Sequence, residues 1–352
     1  NNSDIRAQAF NTKGTIYYYQ SKYRLAINWY ERSLEIYKSR EMASHAATLL
    51  NNIGLALSEL ADYNQALDYY FEALKIHEQE NHKEGIALTL ANIGIVYFNL
   101  GNLDKAMEFY GRSLNIRLEI KDDFGIASCY TNMGNVYISL GKSDTALNCY
   151  RKALRIFQNK KDINNVASTY LLFGYYFISN GNYDSALIYY DKVLQIGKEI
   201  KSENNIAHAS LNLGFCHINL GNYDEAFDYL LLSKRFFEKT GDRNMLQYPY
   251  RALTDYYELV GKYDSSLAYY KKYSDLHDSL LRVESSKRIT EAELLYDSEK
   301  QENKIALLTK EKQINDIQLQ KQKQYRNTLI VGALVIILFT VFLIWRFFEK
   351  QK

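Results

Sequence analysis

Six glycines stand forty residues apart: Gly14, Gly54, Gly94, Gly134, Gly174 and Gly214. The next step lands on Thr254. Twelve residues further on runs a column of Ala26, Ala66, Ala106, Ala146, Ala186 and Ala226, ending in Ser266. Four more residues give Tyr30, Tyr70, Tyr110, Tyr150, Tyr190, Leu230 and Tyr270. A turn column reads Gly101, Gly141, Gly181, Gly221 and Gly261, with Ser21 and Ala61 in the first two copies. Seven copies in one register specify a repeat architecture, in which each unit buries its faces only against its neighbours.

Each copy reads as a pair of helices. In "ANIGIVYFNLGNLDKAMEFYGRSL" (91–114) apolar residues recur at helical spacing on both sides of "LGN". The glycine of that turn ends the first helix, helix A, and a short connection leads to helix B. A single proline, Pro249, in 352 residues also favours helix. Small residues in the Gly and Ala columns let the two helices approach closely. The Tyr column is expected to fill the space between neighbouring pairs, so packing accounts for most of the 32 tyrosines.

Gly, a large residue three later (Tyr17, Tyr97, Tyr137), Ala twelve after the Gly and then Tyr resembles the signature of the tetratricopeptide repeat family. The usual repeat is about 34 residues. Here the extra residues fall between repeats, as in "EIKDDFGIA" (119–127) and "EIKSENNIA" (199–207). The resemblance covers residues 4–283. It implies an all-α, right-handed solenoid of seven helix pairs, at about 4–43, 44–83, 84–123, 124–163, 164–203, 204–243 and 244–283. Helix A then lines a concave groove.

The resemblance turns the residues six, three and two before the Gly, and one and four after it, towards that groove. Two before the Gly stand Asn52, Asn92, Asn132 and Asn212, interrupted by Thr12 and Leu172. In some members of the family an asparagine there grips the backbone of an extended peptide, since one amide both donates and accepts. The alternative is that these amides tie one helix to the next. Leu55, Ile95, Phe98, Asn135, Ile138, Tyr175, Ile178, Phe215 and Ile218 are further groove positions. Of these, Phe98, Asn135, Tyr175 and Phe215 join the four asparagines as the predicted peptide-binding set. A hydrophobic groove studded with amides suits a protein segment or peptide. Chaperone-binding members hold a terminal carboxylate with basic residues; here those positions carry Asn11, Asn51, Leu88, Ala91 and Ser128, and only Arg251 is basic.

Other chemistries find little support. The formal net charge is +2, so no field points to nucleic acid. "GKS" at 141–143 has Val136 where a phosphate loop needs glycine. His77 and His82 are five apart, which does not place them on one helical face. Cys129, Cys149 and Cys216 have no metal or redox spacing and read as buried thiols. No catalytic residue, cofactor or metal is expected.

After residue 283 the period stops. Residues 284–327 lack Gly and Pro and are rich in Glu, Lys, Gln and Leu, which predicts a helical stalk that could pair as a homodimeric coiled coil. Residues 328–348 carry no charge before Arg346. At 1.5 Å per residue they reach about 31 Å, enough for a bilayer core of ~30 Å, so a transmembrane helix is expected. The order of repeats, stalk and single span resembles bacterial membrane-bound sensors whose next segment is a histidine kinase or a helix-turn-helix regulator, with periplasmic repeats. That resemblance implies a truncated tail at 349–352. The alternative is a tail-anchored cytoplasmic adaptor for protein-complex assembly. The first residues, "NNSDIR", lack a methionine, so a leader has been removed or the chain is a fragment.

Overall fold

The computed structural model describes residues 2–281, all within one compact unit. Every regular element among them is a helix: α1 (Asn2–Tyr19), α2 (Tyr23–Ser39), α3 (Ala43–Glu59), α4 (Tyr63–Gln79), α5 (Lys83–Asn99), α6 (Leu103–Glu119), α7 (Asp123–Ser139), α8 (Ser143–Asn159), α9 (Ile163–Ser179), α10 (Tyr183–Glu199), α11 (Glu203–Leu220), α12 (Tyr223–Thr240), α13 (Arg243–Leu259) and α14 (263–281). Odd-numbered helices are the A helices and even-numbered ones the B helices. The expected stalk (284–327) and span (328–348) lie outside the described residues. Among the described residues no helix is long and apolar enough to cross a membrane.

The turns share one geometry. A residue in the left-handed region recurs every twenty positions, from Ser21, Glu41, Ala61 and Asn81 through Gly101 and Lys121 to Gly241 and Gly261. At Gly101, φ is +75°. Its N–H donates to Phe98 O, and Asn102 N–H donates to Tyr97 O, both at 2.9 Å. This paired closure satisfies the last carbonyls of α5. The next helix is then capped by the residue after the turn: the side chains of Asp62, Asn102, Asp122, Asp162, Asn182, Ser202 and Asp242 each accept from the backbone N–H three residues on.

The glycine and tyrosine columns meet inside each repeat. A Cβ on Gly54 would lie 2.8 Å from the Tyr70 ring, and one on Gly174 would lie 2.4 Å from Tyr190. Tyrosine therefore fills the space between the A and B helices of its own pair, rather than the space between neighbouring pairs that the sequence suggested. Tyr70, Tyr110 and Tyr190 are fully buried there.

Between repeats, side-chain sizes are matched. His77 and Arg117 end α4 and α6, and each lies over a glycine of the next helix, Gly85 and Gly125, where a Cβ would meet the larger side chain. Phe157 and Phe237 hold the same register, with Asn165 and Met245 at the positions of those glycines.

Successive A helices touch, as α3 does α5, α5 does α7, α9 does α11 and α11 does α13. No comparable contact joins the successive B helices α2 to α12. In a curved stack the closer-spaced layer is the inner one. The A helices therefore line the concave side.

Candidate functional site

The inner face is the exposed stripe of each A helix. Its positions recur at helical spacing six and two residues before the Gly column, then one and five after it. In α3 these are Thr48, Asn52, Leu55 and Glu59; in α7 they are Ser128, Asn132, Asn135 and Ser139. The predicted residues all fall on this face or its edge. Asn52, Asn92, Phe98, Asn132, Asn135 and Asn212 are half-buried, while Tyr175 is 56% and Phe215 39% exposed.

The asparagines are not equivalent. Asn92 Nδ2 donates to Asn51 Oδ1 at 3.1 Å and ties α5 to α3. Asn52 stands to Asn11 as Asn92 stands to Asn51, and Asn11 Oδ1 is buried without a partner. A rotation of the Asn52 amide would make the same tie one repeat earlier. Asn132 has Ala91 in the place of that acceptor, so the tie is impossible. Among the described residues its amide has no hydrogen-bond partner. Asn212 Nδ2 donates to His208 O at 2.9 Å, which leaves its Oδ1 as an outward acceptor. Asn135 Oδ1 accepts from Tyr150 OH at 2.8 Å, which leaves its Nδ2 as a donor. The face thus offers an acceptor at Asn212, a donor at Asn135, and both at Asn132.

One column was missed in the sequence. Five after the Gly stand Asn99, Ser139, Ser179 and Asn219, all exposed. Asn219 Nδ2 donates to Phe215 O at 2.8 Å and presents its Oδ1 outward. The signal was available: these positions repeat every forty residues, and from α5 to α11 none is charged.

Ionisable groups are few on this face. Glu59 Oε1 accepts from Tyr18 OH at 3.3 Å, and burial together with this carboxylate pushes the Tyr18 hydroxyl well above the usual range. Arg251 Nε lies 3.3 Å from Asp255 Oδ1. Burial pushes His208 down, partly opposed by Asp242. Among the described residues no three His, Cys, Asp or Glu are grouped to hold a metal. His77 and His82, which share no helical face, nonetheless meet around the α4–α5 turn with their Nδ1 atoms 3.3 Å apart. The three cysteines are free and buried, and burial raises Cys216 to about 12.

The tetratricopeptide repeat family model matches residues 5–79, 85–159 and 125–199. A second model, the SusR N-terminal TPR domain, matches residues 179–334. No curated protein sequence matches the chain. Among solved structures, aspartyl phosphate phosphatase F from Bacillus subtilis is similar, with a TM-score of 0.64 and 14% identity over 78% of this chain and 71% of that one. The apo quorum sensor NprR from B. thuringiensis has a TM-score of 0.62 and 21% identity over 76% of this chain and 75% of that one. The Rap conjugation gene regulator of plasmid pLS20, in complex with the Phr* peptide, has a TM-score of 0.59 and 18% identity over 78% and 74%. At these identities the likeness is one of fold.

Proposed function

The chain belongs to the tetratricopeptide repeat family, and from that premise we propose that its inner face binds an extended peptide through the peptide's main chain. We propose further that the array is the membrane-anchored receiving part of a signalling protein. The observation that carries the first reading is Asn132. Its amide is held on the inner face with no internal partner, on the same helix as the donor of Asn135, whose column continues in the exposed rings of Tyr175 and Phe215. An extended main chain offers N–H and C=O groups in alternation, which one amide can match together. The pLS20 regulator, similar in fold, is a peptide complex, which supports placing a peptide here.

The second reading is supported by sequence. Residues 328–348 are apolar and uncharged up to Arg346. The SusR N-terminal TPR match runs to residue 334, across the expected stalk and into this run. In this reading the repeats are periplasmic, the stalk is a helix that can pair with a second copy, and the output lies in another segment.

The test selects short peptides from a displayed library on the full chain and measures their affinity for two variants. Asn132→Ala should weaken binding about fivefold, equivalent to one hydrogen bond of ~1 kcal/mol, with thermal stability unchanged. Asn92→Ala should instead lower stability, because it removes the tie to Asn51. Selected peptides that bind Asn132→Ala as tightly as the parent would retire this reading of the groove.

A further inference from the structure

The inner face differs from the rest of the molecule in charge. The chain as a whole is 24% charged. At the four stripe positions of α3, α5, α7, α9 and α11, only Glu59 carries a formal charge, and its carboxylate already accepts from Tyr18; Glu84, one turn before Leu88, lies at the α4–α5 turn beside His82. From α5 to α11 the stripe holds apolar, amide and hydroxyl residues with one imidazole, His208, whose burial favours the neutral form. The outer B helices are the opposite. Arg112, Lys152, Arg155, Lys192 and Arg235 all stand exposed there. A face that merely touches water has no physical reason to exclude charge, and the outer surface of the same repeats does not exclude it.

We infer that the segment held in this groove is uncharged: a run of apolar and amide residues, read through its main chain and free of Lys, Arg, Asp and Glu. The inference rests on the peptide-groove reading above. A charged side chain docked against this face would lose water and gain no counter-charge, which is costly. An uncharged segment loses little, because its amides meet Asn132, Asn135 and Asn212, and its apolar side chains meet Tyr175 and Phe215. At the stripe positions the charges that flank α5 to α11 are Glu59 on α3 and Asp255 on α13, the latter paired with Arg251.

The experiment presents the full chain, in mild detergent, with arrayed short peptides built from Leu, Ile, Phe, Asn, Gln and Ser. Matched copies carry one central Lys or one central Asp. The uncharged peptides should be captured, and either charge should reduce binding about tenfold or more. Affinity should change by less than about twofold from low to high salt, because no ion pair is screened. Asn135→Asp should reverse the preference towards the Lys peptide and make its binding salt-dependent. If charged peptides bind as well as uncharged ones, yet Asn132→Ala still weakens both, the inference fails and the peptide groove stands. If no peptide is captured while neutral oligosaccharides, whose hydroxyls suit the same amides, are bound, both fail.

Discussion

At the scale of single residues, repeat 7 contains a natural substitution of the packing rule. Tyr30, Tyr70, Tyr110, Tyr150 and Tyr190 are at most 3% exposed, each lying on its glycine, whereas Tyr270 is 47% exposed. Two changes act there. Thr254 replaces the glycine, and no further repeat among the described residues covers the ring. Gly54→Thr separates them, because repeat 2 has neighbours on both sides. The new side chain should meet Tyr70, expel the ring and cost roughly 1–3 kcal/mol. Chemical denaturation and quenching of tyrosine fluorescence would measure both effects. An unchanged midpoint would mean that the missing cover alone exposes Tyr270. The glycine and tyrosine columns were legible in the sequence, but their partnership was not. Contacts within a repeat and contacts between repeats recur with the same forty-residue period, so periodicity cannot tell which interface a ring enters. The asparagine column poses the same problem. Asn92 and Asn132 look identical until the residue 41 places earlier is read: Asn51 in one case and Ala91 in the other.

At the scale of helices, the turn geometry repeats every twenty residues although the sequence shows forty. The junction turns hide the signal because Glu41, Lys121, Lys161 and Lys201 take the left-handed conformation that glycine marks elsewhere. Each such residue costs about 1–2 kcal/mol, which the paired closing hydrogen bonds offset, helped after Lys121, Lys161 and Lys201 by the caps of Asp122, Asp162 and Ser202. The α4–α5 junction lacks that cap, since His82 makes no side-chain capping bond and instead faces His77. Burial, and secondarily His82, push the His77 pKa below its usual value. Glu84 Oε2 lies 3.6 Å from His82 Nε2, on the far side of that ring. The folded state therefore holds a proton on His77 less readily than the unfolded chain, whose histidine titrates near 6.5. The resulting stability is present above pH ~6.5 and is lost as pH falls through the folded value. Hydrogen exchange in α4 and α5 should rise on mild acidification. His77→Phe, which copies the register of Phe157 and Phe237, should flatten that rise while the response near His208 in repeat 6 persists. An equal acid response in α4 and α5 of the variant would assign the effect to other groups.

At the scale of the whole molecule, the forty-residue register made the helix pairs and their stacking legible, and the spacing of the A helices then identified the inner face. What leaves the array is a different matter. Each of the other B helices α2 to α12 has ended by residue 41 of its period, where a residue adopts positive φ. α14 is still helical at Leu281, the equivalent position. Leucine is poorly suited to the left-handed turn that glycine makes at Gly241. The register alone could not reveal this continuation, since it marks where a turn is due and not whether the chain makes one. Leu281 is the last described residue, and a cut just after it falls between the described repeats and the stalk and span proposed above. A specific protease site inserted after Leu281 in the full chain should therefore separate the two without disturbing the repeats. If the repeats lie outside the cytoplasm, protease given access to that compartment in otherwise intact cells should release a folded, helical array. The array should retain the Asn132-dependent peptide affinity of the parent, because every groove residue precedes the cut. A chain cleaved only after the inner membrane is broken would place the repeats in the cytoplasm and favour the tail-anchored adaptor. Release without any cleavage would instead show that residues 328–348 do not anchor the chain.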